Sequence, residues 1–297
     1  MQNKPSQRAG SDRRQFITTA SGAVAGTALL SAGLGSLAAQ TRRPRDIVLV
    51  HGAWHGGWCW DPVRALLEAA GHRVLTPTLT GLGSRANELT ADVGLETHIE
   101  DVMLSVLLED LEDFVLVGHS YGGMVITGVA DRLKGRIAHI VYLDAALPKD
   151  GETMLSYGEP RPQAVIDGAI AAMRALAPDG VALATFPPAM LGVPEDHPLH
   201  DWVARQLTPH PLKTWLDPIA LTNGGPRGLP ATYVHCTAPA LAQTQFGWVY
   251  RQLQEDPAWR TLALETGHDA MVSDPEGVAR IVRAAAGAKL ADQGEAR

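Results

Sequence analysis

The chain is short of cysteine, of aromatic residues and of basic patches, and each shortage excludes a class of protein. Cys59 and Cys236 are the only cysteines in 297 residues, too few for a disulfide scaffold and without partners at zinc-finger or zinc-ribbon spacing. The apolar Trp58-Cys59-Trp60 context and the strand-end position of Cys236 fit two buried free thiols better than a disulfide. A net charge of −7, with no stripe of lysine and arginine, argues against a nucleic-acid binder. Aromatic residues make up only 5% of the chain, yet seven of them are tryptophan. Long unbroken apolar runs are missing too. The best candidate, Thr18 to Ala39, is interrupted by Gly22, Gly26, Gly33 and Gly35, which makes it weak for a membrane span of about 20 apolar residues.

What precedes that stretch is informative. Ser11-Asp12-Arg13-Arg14-Gln15-Phe16-Ile17 resembles a twin-arginine export signal. The expectation is that residues 1–40 direct export to the periplasm or beyond, with cleavage between Ser36 and Gln40. An uncleaved anchor and no targeting at all are the alternatives. Hydrophobic residues make up 45% of the chain, ample for a packed core.

Beyond residue 40, short apolar runs alternate with helical patterns. Ile47-Val48-Leu49-Val50, Arg73 to Thr76, Phe114 to Val117, Ile137 to Leu143, Thr232 to Cys236 and Thr261 to Leu264 read as strands buried on both faces. Asp61 reads as a helix cap with Pro62 at the first helical position, and Gly71 as the stop. Further helices are expected over Thr97 to Leu108 and Gly123 to Leu133. This alternation predicts an α/β fold: a mostly parallel sheet with helices on both faces. Residues 41–146 and 230–297 form its core. Residues 147–229, rich in Pro, Met and Trp and without a convincing strand, read as an inserted helical cap over the carboxyl ends of the strands, where an open α/β sheet binds its ligand.

Gly118-His119-Ser120-Tyr121-Gly122 sits between a predicted strand and a predicted helix. That setting gives a G-x-S-x-G pattern chemical meaning, because a sharp turn presents the serine hydroxyl while glycines let the backbone fold tightly. A serine needs a base to take its proton. His268, after the last strand, has the right location and chain order, whereas His119 should point away and His235 should pack within its strand. The acid must reach the other imidazole nitrogen. The loop after the penultimate strand, Thr237 to Gln243, has no carboxylate, but Asp144 ends the strand beside the nucleophile. It is the favoured acid, with Glu265, Asp269 and Asp217 as weaker candidates. The oxyanion would be met by the backbone amides of Tyr121 and Ala53. His51 and His55 read as hydrogen-bonding supports of the loop His51 to Gly57. A metal role is not expected for them, since no carboxylate or further histidine accompanies them in sequence.

His51-Gly52-Ala53-Trp54-His55-Gly56-Gly57-Trp58-Cys59-Trp60, Leu66 to His72 and Gly118 to Met124 together resemble the α/β-hydrolase superfamily. Within it they look most like the plant methylesterase and hydroxynitrile-lyase branch and its bacterial relatives. The resemblance covers most of the chain after Asp46. It implies an α/β-hydrolase fold, Ser120 and His268 as nucleophile and base, and the Ala53 and Tyr121 amides as oxyanion hole. Two departures stand out. The acid position usual in that branch is empty, and Asp144 lies instead where some haloalkane dehalogenases carry theirs. Hydroxynitrile lyases of this branch place a lysine after the histidine, where this chain has Asp269, whose negative charge disfavours cyanide. Dehalogenation is excluded because its nucleophile is a carboxylate.

The reading is a cofactor-free serine hydrolase that cleaves a carboxylic ester of a small to medium hydrophobic molecule through an acyl-enzyme. Trp54, Trp215 and Met154 are candidate pocket residues. A lactonase or amidase with the same triad, a cofactor-free lyase and a non-catalytic binder are the alternatives. No metal, nucleic acid or lasting membrane insertion is expected.

Overall fold

A computed structural model describes residues 44–287 with the exception of Gln243, so the expected export signal lies outside the described residues. Six parallel strands form the central sheet: β1 (Asp46–Val50), β2 (Arg73–Leu75), β3 (Phe114–His119), β4 (Ile137–Leu143), β7 (Ala231–Cys236) and β8 (Trp259–Leu264), in the spatial order β2-β1-β3-β4-β7-β8. The period-2 alternation of these strands sends Val48, Val50, Leu116 and Ile140 to one face and Ile47, Leu49, Val115 and Val141 to the other. The first face is covered by α2 (Leu95–Leu108), α3 (Gly122–Leu133) and α7 (Phe246–Gln254). The second is covered by α1 (Asp61–Ala69), α8 (Ala270–Ser273) and α9 (Pro275–Ala285). Both faces being buried explains why the inner strands are mainly apolar runs, while the edge strands β2 and β8 keep exposed residues such as Arg73 and Arg260.

Differences from the sequence expectation are local and have causes. Helix α1 includes Asp61 as its first residue, preceded by a 3-10 turn over Gly57–Trp60, and Gly71 adopts φ +91° past its end. Helix α2 starts two residues earlier than expected, at Leu95, because Asp217 Oδ2 accepts the Leu95 amide at 3.1 Å and places a carboxylate at the positive end of the helix. Strand β8 likewise begins two residues early, where Trp259 pairs with Ala231.

Residues 147–229 contain α4 (Gln163–Ala175), α5 (His200–Gln206) and α6 (Lys213–Leu216). They also contain a strand pair that periodicity does not reveal: β5 (Ala182–Leu183) runs antiparallel to β6 (His210–Pro211). Two residues per strand are too few to show an alternating pattern. This segment is tied to the core from two sides. Thr208 N donates to Trp54 O at 2.9 Å, and Asp269 N donates to Leu191 O at 2.8 Å. Gly192, at φ +89°, lies directly on Gly267, and a methyl on either glycine would overlap the other segment's backbone. Among the described residues no helix is long and apolar enough to cross a membrane.

Candidate active site

Three strand ends and one loop bring the chemistry together. Strand β3 runs into Ser120, which takes φ +55°, a left-handed conformation that a non-glycine residue adopts only when its surroundings enforce it. The enforcement is visible. Ser120 N donates to Leu143 O, and Ser120 O accepts from Gly123 N and Ala146 N. The flanking glycines are required by close approach: a methyl on Gly118 would lie 2.7 Å from Ile126 Cδ1, and one on Gly122 would lie 2.7 Å from His51 O.

Asp144 follows β4 and is also left-handed, at φ +43°. Its carboxylate is buried and accepts His268 Nδ1 at 2.7 Å through Oδ2. The other oxygen, Oδ1, accepts His235 Nδ1 at 2.8 Å and the Cys236 amide at 3.1 Å. Burial alone would raise the Asp144 pKa, but the bonds from His235 and His268 outweigh it and hold the carboxyl at about 2. Asp144 therefore stands as an anion shared by two imidazoles. His235 was expected only to pack within its strand, and this contact corrects that. The pairing of Leu143 with Val234 contains the signal, because it sets the next residues, Asp144 and His235, side by side.

His268 is buried, with its ring stacked on Phe246 at 5.4 Å and packed beside His119 at 4.5 Å. His119 makes no hydrogen bond to Ser120 among the described residues: its Nε2 donates to the His268 carbonyl at 3.0 Å, and burial, with the nearby His268, lowers its pKa to about 3, so it stays neutral. No hydrogen bond joins Ser120 Oγ to His268 among the described residues, a common arrangement before substrate closes the pair. The weaker acid candidates go elsewhere. Glu265 is exposed, Asp217 caps α2 and pairs with Lys213, and Asp269 turns to His55.

The loop after β1 supplies the facing wall. His51 Nδ1 donates to Gly52 O at 2.8 Å while Nε2 accepts the Leu79 amide at 3.1 Å, and burial lowers its pKa to about 3. His55 Nδ1 donates to Ala53 O at 2.7 Å. The expectation that no carboxylate accompanies these histidines is corrected: His55 Nε2 lies 3.1 Å from Asp269 Oδ2. Trp54 takes φ +64°, and its amide donates to His210 Nδ1 at 3.3 Å. The amides of Ala53 and Tyr121 have no acceptor among the described residues. The Tyr121 side chain is anchored by its hydroxyl, which donates to His98 Nδ1 at 2.9 Å, and His98 in turn donates to Thr80 O. Burial lowers the His98 pKa to about 4.

A cavity of about 200 Å³ joins these groups. Ser120, His268 and Ala53 line it, as do the three expected pocket residues Trp54, Trp215 and Met154. Sequence reasoning missed the other apolar wall residues, among them Met173, Phe186 and Phe246. His119, His268 and Asp269 each bring one ligand-type atom within 4.8 Å of the others. His119 Nε2 is spent on a carbonyl and His268 Nδ1 on Asp144, so the cluster reads as a hydrogen-bonded network rather than a metal cage. Cys59 and Cys236 are both buried and free.

Comparison with known proteins identifies the family. The model of the alpha/beta hydrolase family matches residues 47–281. A carbendazim hydrolyzing esterase of Nocardioides sp. (strain SG-4G) is 40% identical over 237 residues, 79% of this chain and 96% of that protein. Methylesterase 2 of Arabidopsis thaliana is 39% identical over 111 residues, 37% of this chain and 42% of that protein. Among solved structures, an extracellular alpha/beta-hydrolase from a Paenibacillus species superposes with a TM-score of 0.69 at 25% identity, covering 82% of this chain and 99% of the other. Fold, elbow and matches concur, and the chain belongs to the alpha/beta hydrolase family.

Proposed function

We propose that the protein is a serine esterase that cleaves small to medium hydrophobic carboxylic esters through an acyl-enzyme. The observation that carries this reading is an apolar cavity holding a serine on a left-handed elbow beside a histidine whose Nδ1 is fixed by a buried anion. The esterase relatives support it.

In this reading Ser120 Oγ attacks the ester carbonyl as His268 Nε2 takes its proton. Asp144 keeps the His268 proton on Nδ1, so that Nε2 is free to accept, and compensates the imidazolium that results. The negative oxygen meets the unpaired Ala53 and Tyr121 amides, each such donor being typically worth about 3 kcal/mol. His268 then protonates the leaving alcohol, and a water activated by the same imidazole releases the acid. Residues 147–229 act as the cap, and their methionines, flexible and polarizable, accept varied apolar shapes. A lyase on this site finds no support at Asp269, whose carboxylate is committed to His55.

We also propose that residues 1–40 direct twin-arginine export, supported by Arg13-Arg14 ahead of a weakly apolar stretch. Sequencing the N-terminus of protein recovered from the periplasm tests cleavage.

Fluorophosphonate labelling tests the esterase reading without a guess at substrate. A single adduct in the wild type, absent from Ser120→Ala, is the expected result. Folded wild-type protein that takes no adduct would refute an activated serine.

A further inference from the structure

Next to the reacting groups lies a second acid–histidine pair that ester cleavage, as described, leaves unused. His55 and Asp269 are 214 positions apart in sequence, both are fully enclosed, and His55 forms part of the cavity wall. The partners of His55 settle how many protons its ring needs. Nδ1 faces the Ala53 carbonyl, which can only accept, and Nε2 faces a carboxylate oxygen. A neutral ring has one N–H for these two acceptors unless Asp269 itself carries the proton.

The surroundings decide where that proton sits. The titratable groups facing His55 are Asp269 from the loop after β8, His119 at the end of β3, His51 on its own loop, and His210 from β6. Burial, joined by mutual repulsion, keeps His51, His119 and His210 neutral, so Asp269 is the one counter-charge. Among the described residues Asp269 Oδ1 has no hydrogen-bond partner, and it sits 3.9 Å from His119 Nε2. An anion left half-bare in the interior is tolerable only with a cation against its other oxygen. Burial works against charge on both partners, but each is outweighed by the other: the His55 pKa is raised and that of Asp269 lowered.

We propose that Asp269 holds His55 as an imidazolium, and that this cation is a positioning residue which fastens the oxyanion loop to the loop carrying His268. The link runs from Ala53 O to His55 Nδ1–H, and from His55 Nε2–H to Asp269, the residue that directly follows His268. Pinning the Ala53 carbonyl restricts the rotation of its amide one α-carbon away, the amide assigned to the oxyanion. Charge-assisted bonds of this type are roughly twice as strong as neutral ones. The role in catalysis rests on the esterase reading above, whereas the protonation state does not.

The sign of the pH effect follows. With its pKa raised by Asp269, His55 keeps its second proton to higher pH than an unperturbed imidazole and loses it as pH rises through the folded value, loosening the loop. Asp269→Asn separates charge from shape, since the amide can donate to Nε2 while Nδ1–H stays on Ala53.

Nitrogen-15 NMR of histidine-labelled protein, with His55 assigned from its missing signals in His55→Gln, reads the proton directly. Wild type should show both His55 nitrogens protonated at pH 7.5, and Asp269→Asn should show one. Losing a whole oxyanion donor costs about 10² to 10³ in kcat, so Asp269→Asn should lower kcat on the order of tenfold. Its KM should change less than about twofold, and it should lack the alkaline decline that the proposal expects of wild type. A neutral His55 in wild type, or an Asp269→Asn enzyme with wild-type kcat and pH profile, overturns the proposal. If the variant does not fold, the wild-type spectrum alone still decides the ion pair. Wild type that takes the fluorophosphonate but has a neutral His55 sinks this inference alone. An imidazolium in a chain that takes no adduct sinks the esterase reading, and with it the catalytic role given to the pair.

Discussion

Asp144→Asn replaces one carboxylate oxygen with an amide NH2 in a side chain of the same shape, and the structure determines which oxygen is lost. The Cys236 amide can only donate, and it donates to Oδ1 beside the bond from His235. The remaining oxygen must therefore stay there, because turning the amide over would set NH2 against a backbone N–H and cost about 1–3 kcal/mol in unmade hydrogen bonds. The NH2 then faces His268 Nδ1, now 2.7 Å from Oδ2. A donor at that position drives the His268 proton to Nε2, the nitrogen that has to receive the proton from Ser120. The base is lost although every side chain remains in place. Such a tautomer trap lowers kcat by about 10⁴, equivalent to about 5.5 kcal/mol of barrier at about 1.36 kcal/mol per factor of ten. The assay is steady-state hydrolysis of p-nitrophenyl butyrate, with circular dichroism and a urea midpoint to establish that the variant is folded. A folded Asp144→Asn enzyme within about tenfold of wild-type kcat would refute the assignment of Asp144 as the residue that orients His268.

Other predictions follow from the same contacts. His235→Phe removes one of the donors to Asp144; a neutral hydrogen bond is worth about 0.5–1.5 kcal/mol, so kcat should fall about two- to tenfold with KM unchanged, measured on the same ester. Gly123→Ala forces a methyl onto Ala146, 2.8 Å from its amide nitrogen; about 1–3 kcal/mol of stability should be lost, read as a shift in urea midpoint. The Asp144 carboxyl is held at about 2 and Asp269 is also lowered, whereas an unfolded Asp titrates at about 3.9. Their contribution is therefore complete above the unfolded value and is lost as pH falls toward the folded ones; the buried neutral histidines His51, His98 and His119 add a loss that starts where unfolded histidine takes up its proton, so urea midpoints should decline below about pH 6.5 and drop most steeply below about pH 4. Burial pushes both thiols, Cys59 and Cys236, upward, so a thiol reagent should react with neither in the native protein and with both in denaturant.

Most of the sheet could be read from sequence because its inner strands β1, β3, β4 and β7 are largely buried on both faces and so appear as mainly apolar runs ended by glycine, proline or a polar turn, whereas the edge strands β2 and β8 are partly exposed. Ser120, Asp144 and His268 are legible from where those runs stop, and the parallel arrangement puts all the stops on one edge. What remained hidden depends on register and long-range pairing. His235 reaches Asp144 only because β4 and β7 pair with Leu143 opposite Val234, an offset no single strand reveals. His55 and Asp269 belong to opposite ends of the chain and share no local pattern. The two-residue pair β5–β6 is a product of tertiary contacts, including the His210 bonds to Trp54 and Thr214. Wall residues such as Phe186 lie in irregular backbone, where no periodicity marks which side chains turn inward.

The contact of Gly192 on Gly267 bears on how this enzyme can change its substrate. A cap that merely hovered over the sheet could be exchanged, lengthened or hinged aside with the reacting groups left undisturbed. Here the segment proposed as the cap rests backbone to backbone on Gly267, before His268, and is tied through Leu191 to Asp269, after it. In the proposed mechanism it would buttress the histidine assigned as base as well as roof the cavity. Replacing it wholesale with a relative's segment should therefore disturb the proton-transfer geometry unless Leu191 and Gly192 are carried over. New specificity is reached more directly by resizing inward side chains such as Met154, Met173 and Phe186, with the buttress left intact.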